Sequence, residues 1–349
     1  MPDLKYPYDF VPFGPSSPDT APPPGHEEYS GQSGVLKCTL TALTPLLVKG
    51  SDTGRGDRRQ PYYPLENGRY TPIIPGTSLK GMVRSVFEVL VNGCVGLAAD
   101  GKRLIPSSHS KCKDHDSLCM ACRAFGFLSD EGVHRGLVNI GQASLQNDAS
   151  QRSPALHLPA LYGPNVTIEE HGRDVVNERY YGSPEDPNGR KFYLHHRAYD
   201  DGFPHATQKR DYVEPLEGGA EFGFEVTFEN LSSSILSALV AALTLSDNAK
   251  TGSGMAKVRH KLGYGKPAGL GSANIDIERA VLEPSPEARY QEFGATPEEK
   301  TGEELSEWIE EKQARFFNTS RPDMQALAQV LRWPPDPEVD VTYDADAPE

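Results

Sequence analysis

The residues with the plainest chemistry lie in one segment, HSKCKDHDSLCMACRAFGF, residues 109–127. Cys119 and Cys122 have the C-x₂-C spacing that lets two thiolates grip one tetrahedral ion from a tight knuckle. Cys112 lies seven residues upstream, and His109 and His115 lie three residues to either side of it. Three thiolates and an imidazole suit zinc, and either histidine can be the fourth ligand. His109 is favoured, because His109-x₂-Cys112 repeats the spacing of Cys119-x₂-Cys122. The predicted set is therefore His109, Cys112, Cys119 and Cys122, with His115 as alternative. A closed set of this kind is structural rather than catalytic, and it folds a loop too polar for a core of its own. Cys38 and Cys94 read as packed thiols.

Two other stretches have the makings of an anion site. Lys80 and Arg84 stand at i and i+4, on one side of a predicted helix and near its N-terminus, where free N–H groups favour anions. KLGYGKPAGLGS, residues 261–272, carries Gly263, Gly265, Gly269 and Gly271 with lysines in and beside it. It does not match G-x-x-x-x-G-K-[ST], which argues against a nucleotide P-loop. A flexible backbone beside Lys257, Arg259, Lys261 and Lys266 suits close approach to a sugar–phosphate chain.

Periodicity gives the elements that must hold these residues. Leu36, Cys38, Leu40 and Ala42 alternate with polar neighbours, as do Phe222, Phe224, Val226 and Phe228, so both runs read as half-buried strands. Each precedes a helix. The first has Thr77 as its expected N-cap and an apolar stripe of Leu79, Met82, Val83, Val86, Phe87 and Leu90. The second has Asn230 or Ser232 as its cap and Ile235, Leu236, Leu239, Val240 and Leu243 as its stripe. A probable strand follows from Ala273. Strand–helix–strands, then strand–helix–strand, is the split βαβ order of an α+β, ferredoxin-like (RRM-like) fold. Residues 92–219 must hold the middle strands plus large, thumb-like insertions.

The expected organisation has four parts. Residues 1–34, with eight prolines in the first 24, form an extended arm whose aromatics could dock on a neighbour. Residues 35–285 form the ferredoxin-like domain, with the zinc-binding insertion around 105–126. Residues 286–333 supply C-terminal helices, over 303–317 and 321–333, and residues 334–349 an acidic tail. The formal net charge of −14 argues against nucleic-acid binding. Carboxylates are concentrated in the C-terminal segments, however, and basic residues elsewhere. No apolar run is long enough to span a bilayer, and the N-terminus lacks the layout of a signal peptide. The expectation is a cytoplasmic protein with no membrane partner.

Taken together, these stretches resemble the CRISPR-associated RAMP superfamily, in particular the backbone subunits of type III or type III-D-related effectors. PIIPGTSLKGMVRSVFE looks like the family's IPG helix, CMACRAFGF like its C-x-x-C segment, and GYGKPAGLGS like its C-terminal glycine loop. GRKFYLHHR and ALAQVLRWP resemble a type III-D-related subgroup. The resemblance implies an RRM-like core and subunits stacked along a guide RNA that pairs with target RNA. The partners would be CRISPR guide RNA, target RNA, neighbouring copies of the chain and other effector subunits. Carried over by position, Ser78, Lys80 and Arg84 would hold guide phosphates, and Gly265, Lys266, Gly269 and Gly271 would cradle the backbone.

Catalytic members of the family place an aspartate between the first strand and the IPG helix, where this chain offers Asp57 and, as alternative, Asp52. A carboxylate there can act as a general base on a ribose 2′-OH, with Arg58 or Arg59 offsetting phosphate charge. The chain thus reads as a guide-binding subunit with endoribonuclease activity. The alternative is a structural RNA-binding subunit whose partner does the cutting. His195 and His196 could process precursor RNA, though buried or stacking roles suit them better. A metal-dependent hydrolase would need an open metal position.

Overall fold

The computed structural model describes residues 6–24, 29–48, 58–59, 65–66, 69–70, 72–95, 105–146, 156–159, 167–170, 173–183, 186–196, 210–292 and 294–335. Along the chain run β1 (Tyr8–Val11), β2 (Gln32–Ala42), α1 (Gly76–Leu90), α2 (Met120–Phe125), β3 (Val138–Ile140) and β4 (Ala143–Leu145). They are followed by β5 (Arg190–Tyr193), β6 (Glu221–Leu231), α3 (Ser233–Thr244), β7 (His260–Lys261), β8 (Ser272–Leu282), α4 (Gly302–Phe317) and α5 (Pro322–Val330).

The protein is a mixed α/β molecule around one curled antiparallel sheet. Its main strands lie in the order β7, β8, β2, β6 and β4; β3 also pairs with β6, and the short strands Ile73–Ile74 and Glu298–Lys300 pair with β4 and β8. The period-two pattern is the cause. Leu36, Cys38, Leu40 and Ala42 on β2, and Phe222, Phe224, Val226 and Phe228 on β6, turn to one buried face. Register locks the two sets together, with Leu40 opposite Phe222 and Cys38 opposite Phe224. A one-residue slip would send all of them to solvent. On the other flank, Ile275 and Ile277 of β8 stand opposite Leu40 and Cys38. Burial holds the Cys38 thiol far above its usual range, with Glu278 and Asp276 adding to the effect. It is a packed thiol, as its alternation predicts.

α1 and α3 pack together, and α4 packs on α3. Fully burying a side chain such as Phe87, Phe222 or Phe228 is worth about 2–3 kcal/mol relative to exposure. Ser232 caps α3 by accepting from the Ile235 N–H at 3.4 Å. The expected cap on α1 is corrected: the helix starts at Gly76 after Pro75, with no side-chain cap, so Thr77 lies inside its first turn. The last helix ends at Val330, because Arg332–Trp333 leaves it to pair with Lys257 and Val258.

The aromatics of the arm dock on their own chain. β1 pairs with β5, placing Tyr8 opposite Tyr193, and Phe13 packs against the His109 ring at 5.0 Å. Among the described residues, no helix is long and apolar enough to cross a membrane.

Candidate metal centre and nucleic-acid interface

Four thiols converge below the C-terminal end of α1. Cys94 comes from the turn after α1, Cys112 from a loop, Cys119 from the strand Leu118–Cys119, and Cys122 from the first turn of α2. Their sulfurs all lie within 4.8 Å of one another. Cys94 Sγ is 3.5 Å from Cys122, 3.6 Å from Cys119 and 3.8 Å from Cys112. Four sulfurs at about 2.3 Å from a tetrahedral zinc sit about 3.8 Å apart, so the donor set fits such an ion. The Cys119 N–H also donates to Cys112 Sγ at 3.4 Å. Hydrogen bonds among the thiols, that of Cys112 foremost, pull Cys119 far below its usual range and push Cys122 above it.

The predicted ligand set needs a correction. Cys94 completes the cluster, and His109 does not. His109 Nε2 donates to Asn92 Oδ1 at 2.8 Å, and Nδ1 meets Ser108 Oγ at 3.0 Å. His115 is turned to Asp116, 3.1 Å away at the surface. Both were drawn in by spacing alone. Cys94 is also no isolated packed thiol; its signal was arithmetic, since five cysteines less the one in β2 leave four.

Three arginines surround this cluster. Arg84 feels Cys122 and Cys94, Arg123 feels Cys119, and Arg190 feels Cys94 and Cys119. Their guanidinium charge would offset the surplus negative charge of four metal-bound thiolates. Arg84 is further tied to Glu88 at 2.8 Å, with both side chains largely buried. Burial works against its charge, but the hydrogen bond and charge of Glu88 outweigh this and hold Arg84 above its usual range. Arg84 is thus directed to Glu88 and the cysteines, while Lys80, one turn earlier, is half-buried and lowered by burial and then by Arg84.

The neighbouring stripe of α1 borders a cleft of about 560 Å³, lined on that side by Thr77, Ser78, Gly81, Met82 and Ser85. Its other walls bring Lys191 and Tyr193 from β5, Lys261 from β7, and Gly263, Tyr264 and Lys266 from the glycine loop. Three lysines line it, and no carboxylate among the described residues does. Burial lowers all three: Lys191 to about 8, Lys261 to about 7 with Lys266 contributing, and Lys266 itself. The Lys191 ammonium lies 3.8 Å from the Tyr8 ring centroid, and Lys266 lies 5.5 Å from that of Tyr193. Lys266 also donates to the Gly263 carbonyl at 2.7 Å.

The predicted residues divide accordingly. Ser78 and Lys266 line the cleft, whereas Lys80 and Arg84 do not. Gly265, Gly269 and Gly271 are buried with positive φ, so they build the loop rather than touch its surface. The clearest case is Gly271, at φ +79, where a Cβ would sit 1.8 Å from the Leu262 carbonyl oxygen. Lys257 and Arg259 are engaged with Asp247. Lys191 and Tyr193 were missed as site residues, because nothing in GRKFYLHHR marks which way β5 faces. Asp52 and Asp57 lie outside the described residues.

These features define an α+β protein with a curled antiparallel sheet, a four-thiol cluster beyond the C-terminal end of one helix and a cationic cleft bordered by that helix. The RAMP superfamily matches residues 39–274, well over half of the chain, and the chain belongs to that superfamily. Among solved structures, a chain titled Type IV-B CRISPR Complex is similar at 14% identity. That similarity covers 70% of this chain and 90% of the other, with a TM-score of 0.38. No curated protein matches.

Proposed function

We propose that this RAMP protein is a guide-RNA-binding backbone subunit of a CRISPR effector of type III or type III-D-related kind. It works beside copies of itself and other effector subunits, and its guide pairs with target RNA. The observation that carries the reading is the cleft: three lysines and two tyrosines meet at the N-terminal half of α1, with no carboxylate among its described lining residues. Lysines neutralise phosphates, and the tyrosine rings offer faces for bases to stack on. An overall charge of −14 is compatible with this, because one groove and not the whole surface meets the ligand.

The core is read as ferredoxin-like, which the antiparallel order β8, β2, β6, β3/β4 supports, with residues 35–285 as the domain and thumb-like insertions between its halves. Cys94, Cys112, Cys119 and Cys122 would hold zinc, which supplies folding energy to the insertion and leaves no open position for catalysis. Cutting of the paired target is assigned to Asp57 as general base, with Asp52 as alternative.

Binding of a labelled single-stranded RNA tests the reading. Lys191→Met and Lys266→Met should each weaken affinity about tenfold and together reduce the slope of log K against log salt by about 1.4. Unchanged affinity and slope in the double variant would remove the cleft from RNA binding. In the assembled effector with guide and matched target, Asp57→Ala should abolish cutting and keep binding. Cutting that persists hands that step to a partner nuclease.

A further inference from the structure

Beneath the cleft, a chain of hydrogen bonds runs inward from Lys261. The Lys261 ammonium donates to the Leu270 carbonyl at 2.9 Å and to Ser272 Oγ at 3.2 Å. Ser272 is fully buried, and its Oγ lies 2.8 Å from Nδ1 of buried His195. Nε2 of His195 lies 3.0 Å from the Arg259 carbonyl. A carbonyl only accepts, so Nε2 carries the proton and Nδ1 is the acceptor. The Ser272 hydroxyl must then donate to His195, which leaves its lone pairs for Lys261. The direction of every bond in the chain follows from the one carbonyl at its end.

We propose that His195, acting through the Ser272 hydroxyl, positions the Lys261 ammonium in the cleft, so that binding of a phosphate-bearing strand is coupled to protonation of Lys261. This rests on the cleft being the RNA site. Protonating His195 would turn Nδ1 into a donor and strand the Ser272 proton, since Lys261 cannot accept it. Consistently, burial holds His195 well below its usual range, with Lys261 the next cause.

The surroundings of Lys261 make its proton responsive to a ligand. Among the described residues lining the cleft, the charged groups facing it are Lys266 from the glycine loop and Lys191 from β5, both cations, while α1 contributes only the uncharged Thr77, Ser78, Gly81, Met82 and Ser85. His260, its neighbour on β7, is buried and lowered to about 4, so it is neutral near pH 7. Arg259 is held by Asp247. Lys261 itself falls to about 7 through burial and Lys266. An arriving phosphate favours the charged form and raises that value.

The sign follows from linkage. Below about pH 7 Lys261 is protonated whether RNA is bound or not, and its contribution to affinity is constant. Above about pH 7 each binding event takes up a proton, so affinity falls by up to tenfold per pH unit until the pKa of the bound state is passed. Lys191, lowered to about 8, adds a similar fall about one unit higher.

Affinity for a labelled single-stranded RNA, measured from about pH 6 to about pH 9, tests the coupling. Lys261→Gln should remove the lower of the two falls. Ser272→Ala and His195→Phe should move it down by about one pH unit, the equivalent of one lost charge-assisted hydrogen bond. His195→Gln, which keeps an acceptor, should restore it in part. A merely structural role for His195 or Ser272 would lower the melting temperature and leave the midpoint in place, and that result overturns the proposal. Should the variants fail to fold, calorimetry of the wild type at about pH 7.5 in buffers of different ionisation enthalpy still decides. Uptake approaching one proton supports the coupling, and none overturns it. RNA that fails to bind at any pH sinks the reading of the cleft itself and the coupling with it.

Discussion

Two neighbouring stripes of α1 each carry or face cations, and their surroundings differ. Along one, Arg84 meets Glu88 and turns toward four thiols; along the other, Ser78, Gly81 and Ser85 face Lys191, Lys261 and Lys266. The arginine has anionic neighbours from its own chain. Among the described residues, the lysines are offered carbonyls, a hydroxyl and aromatic faces, all neutral. The first cation is compensated within the fold, and the others keep a charge that no internal carboxylate among the described lining residues offsets. Sequence spacing does not distinguish them, since Lys80, Arg84 and Ser78 all sit within two turns.

The sharpest way to break this contrast is to remove the thiol cluster. Cys94→Ser should lose the metal and cost on the order of 5 kcal/mol or more, whereas His109→Ala should keep it. Zinc content and melting temperature measure this, and the opposite pattern would reinstate the histidine. Next in size is the buried ion pair. Glu88→Ala should cost about 3–5 kcal/mol by leaving Arg84 without its counter-charge, and much of that should return when Arg84 is replaced by Met as well. RNA affinity of the folded protein should barely move. A loss as large as that of the Lys266 variant would put Arg84 back among the phosphate contacts.

The smallest effect is the most discriminating. Gly81 lies mid-helix on the cleft wall, and among the described residues a Cβ there would meet nothing within 4 Å. Gly81→Ala should therefore stabilise the protein by about 0.5–1 kcal/mol. If a strand lies close against the helix, the same change should weaken RNA binding. Stabilisation with unaltered affinity would place the ligand elsewhere in the cleft.

What could be read from the sequence was what is local. Period-two alternation located β2 and β6, and the apolar stripes located α1 and α3, because burial of one face leaves a short-range imprint. The C-x₂-C pair was legible for the same reason. Cys94 stands 18 residues before Cys112, a separation that no local pattern bridges, so a nearer histidine took its place. The lysine cleft needed three segments to converge. The start of α1, through Ser78, and the glycine loop, through Lys266, were marked in the sequence, whereas β5 was not.

The pairing of β1 with β5 joins Tyr8–Val11 to Arg190–Tyr193 and sets Lys191 against the Tyr8 ring. The order of synthesis therefore matters. At translation rates of about 5–20 residues per second, the arm waits roughly 10–35 s for its partner strand to be made. The cleft waits longer still, for residues 261–266. Contacts this distant in sequence close late, so Tyr8 gains its strand partner only after residues 190–193 have been made, and the three lysines meet only after residues 261–266.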